Sequence, residues 1–384
     1  MISLSSLWFT LILFSAPLLL VHRTKYRGEI FLIINGALLL MSVGTLQRAL
    51  VTLAWILIPY YASRTIKFRK YLIGALVLGF IYLNHYDWII ESLGIPYLFA
   101  FKILGLSYIL FRQIDFILNR SSYLKSSISL IHYLNYLLSF YTFLAGPILR
   151  YERFVEDIQH PNDPSKIDVH KQLHRAMNGY IKVFVLSAVL SIWATSAYRS
   201  LMVQFDGWMF LWLCITNALF IYFNFSGYCD VMISMGKCAG FNTEENFNKP
   251  YLAQDLSDFW SRWHMTLTHW LTDYVFNPIV QTLARNERFS MDGIQVFAFM
   301  LTFLIAGLWH GTTLNFLIYG LLQGIGVTLS KLYQDHMIKK CGGRKQFRAY
   351  RQRLFVKIFE ISVTLSYVAL SFVFFGFDVL ALWR

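Results

Sequence analysis

The sequence predicts an all-α, polytopic integral membrane protein of about ten or eleven transmembrane helices with interfacial amphipathic helices between them. Three observations predict it. Of the 384 residues, 57% are hydrophobic and 14% are charged, against about 25% charged in soluble domains. Apolar runs of bilayer-crossing length, about 17 to 25 residues, recur from one end of the chain to the other. The basic residues collect in the short intervals between those runs.

In chain order, the candidate spans are 4–21, 30–46, 49–62, 71–90, 97–111, 126–145, 181–201, 207–225, 226–241, 292–309, 314–332 and 354–378, of which two merge or lie shallow. The run from Leu4 to Val21 has no basic segment before it and no small-residue cleavage site after it, so it is read as a retained span and not a leader.

Lys and Arg total 34 against 21 Asp and Glu, a formal charge of +13. On a soluble chain that excess would point to nucleic acid; here its placement points to topology. Arg23, Lys25 and Arg27 form one basic loop, Arg64, Lys67, Arg69 and Lys70 a second, and Lys339, Lys340, Arg344, Lys345, Arg348, Arg351 and Arg353 a third. The positive-inside rule places these loops in the cytoplasm and the N-terminus outside, one span earlier. The cluster at 339–353 reads as a topology determinant drawn to anionic lipid; a docking surface for an acidic carrier or a phosphorylated cofactor is the sharper alternative.

Cys214, Cys229, Cys238 and Cys341 show no Cys-x-x-Cys pair and no histidine at zinc-ligand spacing, so neither a metal site nor a disulfide framework is indicated. Without internal repeats or low-complexity tracts, residues 1–384 are described most simply as one membrane domain.

Polar groups that interrupt apolar spans mark sites, because they are costly to bury in a bilayer. Asn224, Ser226 and Asp230 form one such group, His85 and Asp87 a second, and His310, at the end of the run 292–309, a third. The first two read as helix-packing hydrogen bonds.

Between Leu256 and Val275, the residues Leu256, Phe259, Trp260, Trp263, Leu267, Trp270, Leu271 and Tyr274 recur at helical spacing. Asp258, Arg262, His269 and Asp273 fall on the opposite face, so the segment is expected to be an amphipathic helix at the membrane interface or the rim of the bundle. His264 lies at the edge of the apolar stripe, where it can point from the interface toward the interior.

Leu308-Trp309-His310-Gly311-Thr312-Thr313 closes one apolar run and precedes another, and Gly311 is expected to break the helix beside His310. An apolar setting disfavours imidazolium and leaves a neutral ring able to accept a proton, which a general base needs. Taken alone, a buried histidine beside a tryptophan is more often a structural hydrogen-bonding group than a catalyst.

Phe259-Trp260-Ser261-Arg262-Trp263-His264, then Trp270, Asp273-Tyr274 and Pro278, then Gly307-Leu308-Trp309-His310-Gly311, resemble the signature of the membrane-bound O-acyltransferase superfamily. Gly105-Leu106-Ser107-Tyr108, Ala145-Gly146-Pro147-Ile148, Phe225-Ser226-Gly227-Tyr228 and Glu245-Asn246-Phe247-Asn248-Lys249-Pro250-Tyr251 resemble further family segments, in the family's order. The resemblance covers about 97–378. Its bacterial polysaccharide (alginate) O-acetylation and teichoic-acid D-alanylation branches are both partly matched. Thr272-Asp273-Tyr274 and Asn277-Pro278-Ile279-Val280 depart from the Arg-Asp-Tyr and Pro-Leu-Gly-Gly of the acetylation branch, which leaves acyl group and acceptor open.

The resemblance implies an enzyme without a resident cofactor. It implies transfer of an acyl group, acetyl first and D-alanyl as alternative, from acetyl-coenzyme A or an acylated carrier protein to a hydroxyl on an envelope polysaccharide or a relay protein. It places the essential histidine at His310 and the supporting one at His264, in a multi-pass protein of the bacterial plasma membrane with lipid as its surroundings. A proton-coupled transporter is the rival of another class, but the chain has no paired halves with matching interrupted helices.

Overall fold

A computed structural model of the chain describes residues 26–43, 45–65, 68–84, 86–94, 105–120, 129–142, 145–160, 166–285 and 289–383. Every regular element among them is helical. The contacts divide the chain into two compact units.

The first unit takes residues up to Gly179 together with Tyr228–Glu244. It holds α1 (Arg27–Val43), α2 (Leu46–Ala62), α3 (Arg69–Leu83), α4 (Asp87–Ser92), α5 (Leu106–Asn119), α6 (Leu130–Leu138), α7 (Tyr151–Gln159) and nearly all of α8 (Val169–Tyr180). Its centre is α5, buried along most of its length, Arg112, Gln113 and Asp115 included. Arg112 donates to the carbonyls of Tyr136 at 3.1 Å, Leu137 at 2.7 Å and Thr142 at 2.6 Å. The first two belong to the last turn of α6, whose carbonyls have no helical partner. The guanidinium therefore closes that helix from outside, and Ser139, off helical geometry at φ −43° and ψ 111°, lets the chain turn away.

The second unit takes Tyr180–Gly227 and Glu245–Arg384. After a π-helical stretch Ile181–Leu186 come α9 (Ser187–Val203) and α10 (Gly207–Cys238), then α11 (Leu256–Trp260), α12 (Met265–Leu271), a second π-helical stretch Thr272–Phe276, and α13 (Asn277–Leu283). The unit ends with α14 (Met291–His310), α15 (Leu314–Lys340), α16 (Arg344–Arg351) and α17 (Leu354–Gly376). Helix α10 begins in this unit and ends in the first.

Five helices among the described residues are long and apolar enough to cross a membrane: Val169–Val203, Gly207–Cys238, Met291–His310, Leu314–Lys340 and Leu354–Gly376. The two expected spans 207–225 and 226–241 are thus one continuous helix of 32 residues. The expected spans 30–46 and 49–62 appear as helices of 17 residues each.

Two expected spans are interrupted. Helix α3 stops at Leu83, because Asn84 leaves helical geometry and caps it through its backbone, so 71–90 is not one helix. The segment 126–145 contains a helix of nine residues, ended as described above. The run 4–21 lies outside the described residues, as does part of 97–111.

Helices α14 and α15 form a hairpin whose crossing is set by two glycines. A Cβ on Gly307 would lie 2.9 Å from the Gly320 Cα, and one on Gly320 would lie 2.6 Å from the Phe303 carbonyl oxygen. No side chain fits at either place, so the two backbones touch. Helix α11 packs onto this hairpin and α17 through Leu256, Phe259, Trp260, Trp263, Phe303, Tyr319 and Phe372.

Candidate active site

The expected amphipathic helix over 256–275 has the predicted faces but not the predicted continuity. Leu256, Phe259, Trp260, Trp263, Leu267, Trp270 and Leu271 are buried, whereas His269 and Asp273 are exposed and Asp258 and Arg262 are intermediate and ion-paired at 2.6 Å. The backbone breaks at His264, which sits in the left-handed region at φ 44° and ψ 50°. That region is uncommon for a residue with a side chain. Neighbouring interactions override the helical period here.

Those interactions come from residues 246–248. Phe247 pairs with Trp263 in an antiparallel bridge, and the Asn248 N–H donates to the Arg262 carbonyl at 2.9 Å. The Asn246 carbonyl accepts from the Met265 N–H at 3.0 Å, and its side-chain Oδ1 accepts from the Thr266 N–H at 3.2 Å and the Thr266 hydroxyl at 3.0 Å. The same oxygen lies 3.2 Å from His264 Nδ1. The ring of Phe225 stands edge-on to the imidazole, with centroids 4.7 Å apart.

His264 is 4% exposed. Burial, reinforced by the neighbouring His310, pushes its imidazole down to about 3, because the charged form loses hydration and meets a second ring of the same potential charge. His264 is therefore neutral at physiological pH.

His310 is the last residue of α14, and the chain leaves the helix at Gly311 in extended geometry, as the sequence predicts. The Phe316 ring packs onto Gly311, so a Cβ there would have to displace that ring. Around His310 stand Trp309 at 4.4 Å, Phe375 at 4.8 Å and Tyr319 at 6.1 Å between ring centroids. Taken as a whole residue, His310 is half-buried.

Tyr319 touches Phe372 at 5.7 Å, and Phe372 touches Trp263 at 5.2 Å, so an aromatic wall from α17 joins the segment holding His264 to the one holding His310. The structure places the two sequence-predicted histidines at the two ends of one continuous run of ring contacts, through Phe225, Phe247, Trp263, Phe372 and Tyr319.

The other polar groups singled out from sequence go elsewhere. Asn224 donates to the Ser187 hydroxyl at 3.3 Å and Asp230 pairs with Arg175 at 2.9 Å, both helix-packing contacts. His85 and the Asp87 side chain lie outside the described residues. The sequence by itself assigns no role to Asn246, Phe225, Tyr319 or Phe375; the Glu-Asn-Phe-Asn and Phe-Ser-Gly-Tyr segments are the available signals for the first two, and nothing in spacing marks Tyr319 and Phe375 apart from other core residues. Among the described residues no group of three or more His, Cys, Asp or Glu side chains could hold a metal ion.

Two imidazoles joined by one run of aromatic rings, one of them at a helix end, make this a candidate acid–base site in a polytopic helical protein. The chain belongs to the MBOAT, membrane-bound O-acyltransferase, family, whose sequence profile matches residues 82–373, and it is an O-acyltransferase. The match begins somewhat before the 97 expected from the motifs.

Among curated relatives, it is 28% identical over 291 residues to a teichoic acid D-alanyltransferase of Streptococcus thermophilus, covering 73% of this chain and 69% of the relative. It is 26% identical over 280 residues to the teichoic acid D-alanyltransferase of Bacillus subtilis, covering 71% and 68%. It is 30% identical over 249 residues to a probable alginate O-acetylase of Pseudomonas putida, covering 63% of this chain and about half, 49%, of that relative.

Proposed function

We propose that this membrane O-acyltransferase moves an acyl group, acetyl in the first reading, from a thioester donor to a hydroxyl of a cell-envelope polysaccharide or of a relay protein. The donor is acetyl-coenzyme A or an acylated carrier protein, and the setting is the bacterial plasma membrane. The observation that carries the proposal is the continuous run of ring contacts that links His264 to His310 within the family-matched segment.

The chemistry follows from those groups. The acceptor oxygen attacks the thioester carbonyl carbon while His310 takes the hydroxyl proton; the new C–O bond forms, the C–S bond breaks, and the proton passes to the departing thiolate. His264 orients the acceptor or supports the developing charge. No nucleophilic Ser or Cys is needed.

D-alanyl transfer to a teichoic-acid-like polymer is the second reading, favoured by the longer match to D-alanyltransferases, 73% of this chain against 63% for the probable O-acetylase.

The test is acyl transfer by His310→Gln and His310→Ala variants in membranes, with expression and thermal stability measured beside it. Glutamine keeps size and hydrogen bonding but takes no proton, so both variants are expected to lose about 10²- to 10⁴-fold in rate while remaining folded and inserted. Wild-type transfer by His310→Gln would remove the proposed base. Supplying acetyl thioester and D-alanyl carrier separately distinguishes the two acyl groups.

A further inference from the structure

The polar contacts of Asn246 determine which nitrogen of His264 carries the proton. Its Oδ1 accepts from the Thr266 N–H, and a backbone N–H can only donate, so the atom facing that cluster is the amide oxygen and not the NH₂. An oxygen offers lone pairs only. His264 Nδ1, 3.2 Å away, must then be the donor. In a neutral ring with Nδ1–H, the lone pair lies at Nε2.

Local structure is arranged around this contact. His264 occupies the N-cap position of α12 but makes no side-chain cap, and its left-handed backbone is held from a distance. The first two N–H groups of that helix go to the carbonyl and the side chain of Asn246, 19 and 20 residues earlier. A capping role alone could be filled by a Ser, Thr, Asp or Asn at position 264 itself. A histidine stands there instead, strained and capped by another residue.

We propose that Asn246 is a positioning residue that locks His264 in the Nδ1–H tautomer, so that the transfer site is offered a lone pair at Nε2. His264 then receives a hydrogen bond from a substrate O–H or N–H and orients the substrate; in this state it has no proton at Nε2 to give to an oxyanion. This inference rests on the proposed acyl transfer and narrows the role of the second histidine within it.

The test uses the full chain, labelled with ¹⁵N-histidine and reconstituted in lipid, because the ¹⁵N shifts of imidazole separate the two tautomers without any turnover. His264→Gln identifies the signal. The wild type is expected to show Nδ1–H, and Asn246→Ala to lose that fixed tautomer and about 10- to 100-fold of transfer, the range found for groups that orient a metal-bound histidine.

Asn246→Asp keeps an acceptor for Thr266 and His264 but places a carboxylate against Nδ1–H. It is expected to retain transfer near neutrality and to move the acid limb of the pH–rate profile to higher pH, since the carboxylate favours the doubly protonated ring. His310 is the titratable neighbour that acts on the ring in the opposite sense. A wild-type Nε2–H tautomer, or an Asn246→Asp profile that coincides with wild type, would overturn the proposal, even if Asn246→Ala fails to fold. Because the tautomer is read without turnover, failure of the acyl-transfer reading leaves it measurable and is recognised separately, by an active His310→Gln enzyme.

Discussion

Gly307 and Gly320 oppose each other across the α14–α15 hairpin so closely that a Cβ on the first would lie 2.9 Å from the Cα of the second. The contact lies three residues before His310 in one helix and one residue after Tyr319, the ring beside His310, in the other. The crossing thus sets where both rings stand.

Gly320→Ala is expected to push the hairpin apart at the Phe303 carbonyl, at a cost of about 1–3 kcal/mol, the range for overpacked cores. Acyl transfer should fall more than that loss of folded protein accounts for, because His310 and Tyr319 move with the helices. Thermal unfolding and single-turnover transfer on the same preparation check this; an unchanged enzyme would show that the hairpin accommodates the methyl.

Arg351 joins Asp255 at 2.8 Å and Glu360 at 2.7 Å, with both carboxylate side chains 6% exposed. Gln334 and Tyr333 complete the shell. Removing the one cation leaves two buried carboxylates, so Arg351→Met is expected to cost about 3–5 kcal/mol. Adding Glu360→Gln should recover part of the loss, which a comparison of the three melting temperatures would reveal.

His264 makes stability depend on pH. Its native imidazole takes up a proton only near 3, whereas in the unfolded chain it does so near its ordinary value of about 6.5. As pH falls below 6.5 the unfolded state binds more protons, and the native state loses up to about 1.4 kcal/mol per pH unit through this group. His264→Gln should therefore lose less stability than wild type between pH 7 and pH 5. Parallel melting curves would contradict it.

The basic segment 339–353 spans the end of α15, the short helix α16 and the start of the connection into α17. By the positive-inside rule its seven Lys and Arg residues are expected to keep it on the cytoplasmic side. Cys341, which is not fully buried, should react with an impermeant thiol reagent only after the membrane is opened. Labelling from outside in intact cells would invert the topology.

Much of the fold is written in local pattern. Continuous apolar stretches mark α9, α14, α15 and α17 because a helix alone satisfies its own backbone in lipid. The apolar stripe from Leu256 to Leu271 is legible for the same reason, since its burial follows helical spacing. His310 and the break at Gly311 are legible too, as a polar residue and a glycine ending an apolar run.

Other features depend on residues far apart in sequence. The end of α6 is decided by Arg112, 24 to 25 residues earlier than the carbonyls it takes. The break at His264 is decided by Asn246, whose carbonyl and side chain outcompete the next helical turn for the Met265 and Thr266 N–H groups. By itself, then, the sequence determined the helical membrane class and the apolar faces, because these follow from spacing and hydropathy along a few turns; the two histidines were singled out by the resemblance of their motifs to a family. The tertiary structure alone decided where helices break, which nitrogen of His264 is protonated and which aromatic rings wall the site, because each of these is settled by a partner that only folding brings within hydrogen-bonding or van der Waals distance.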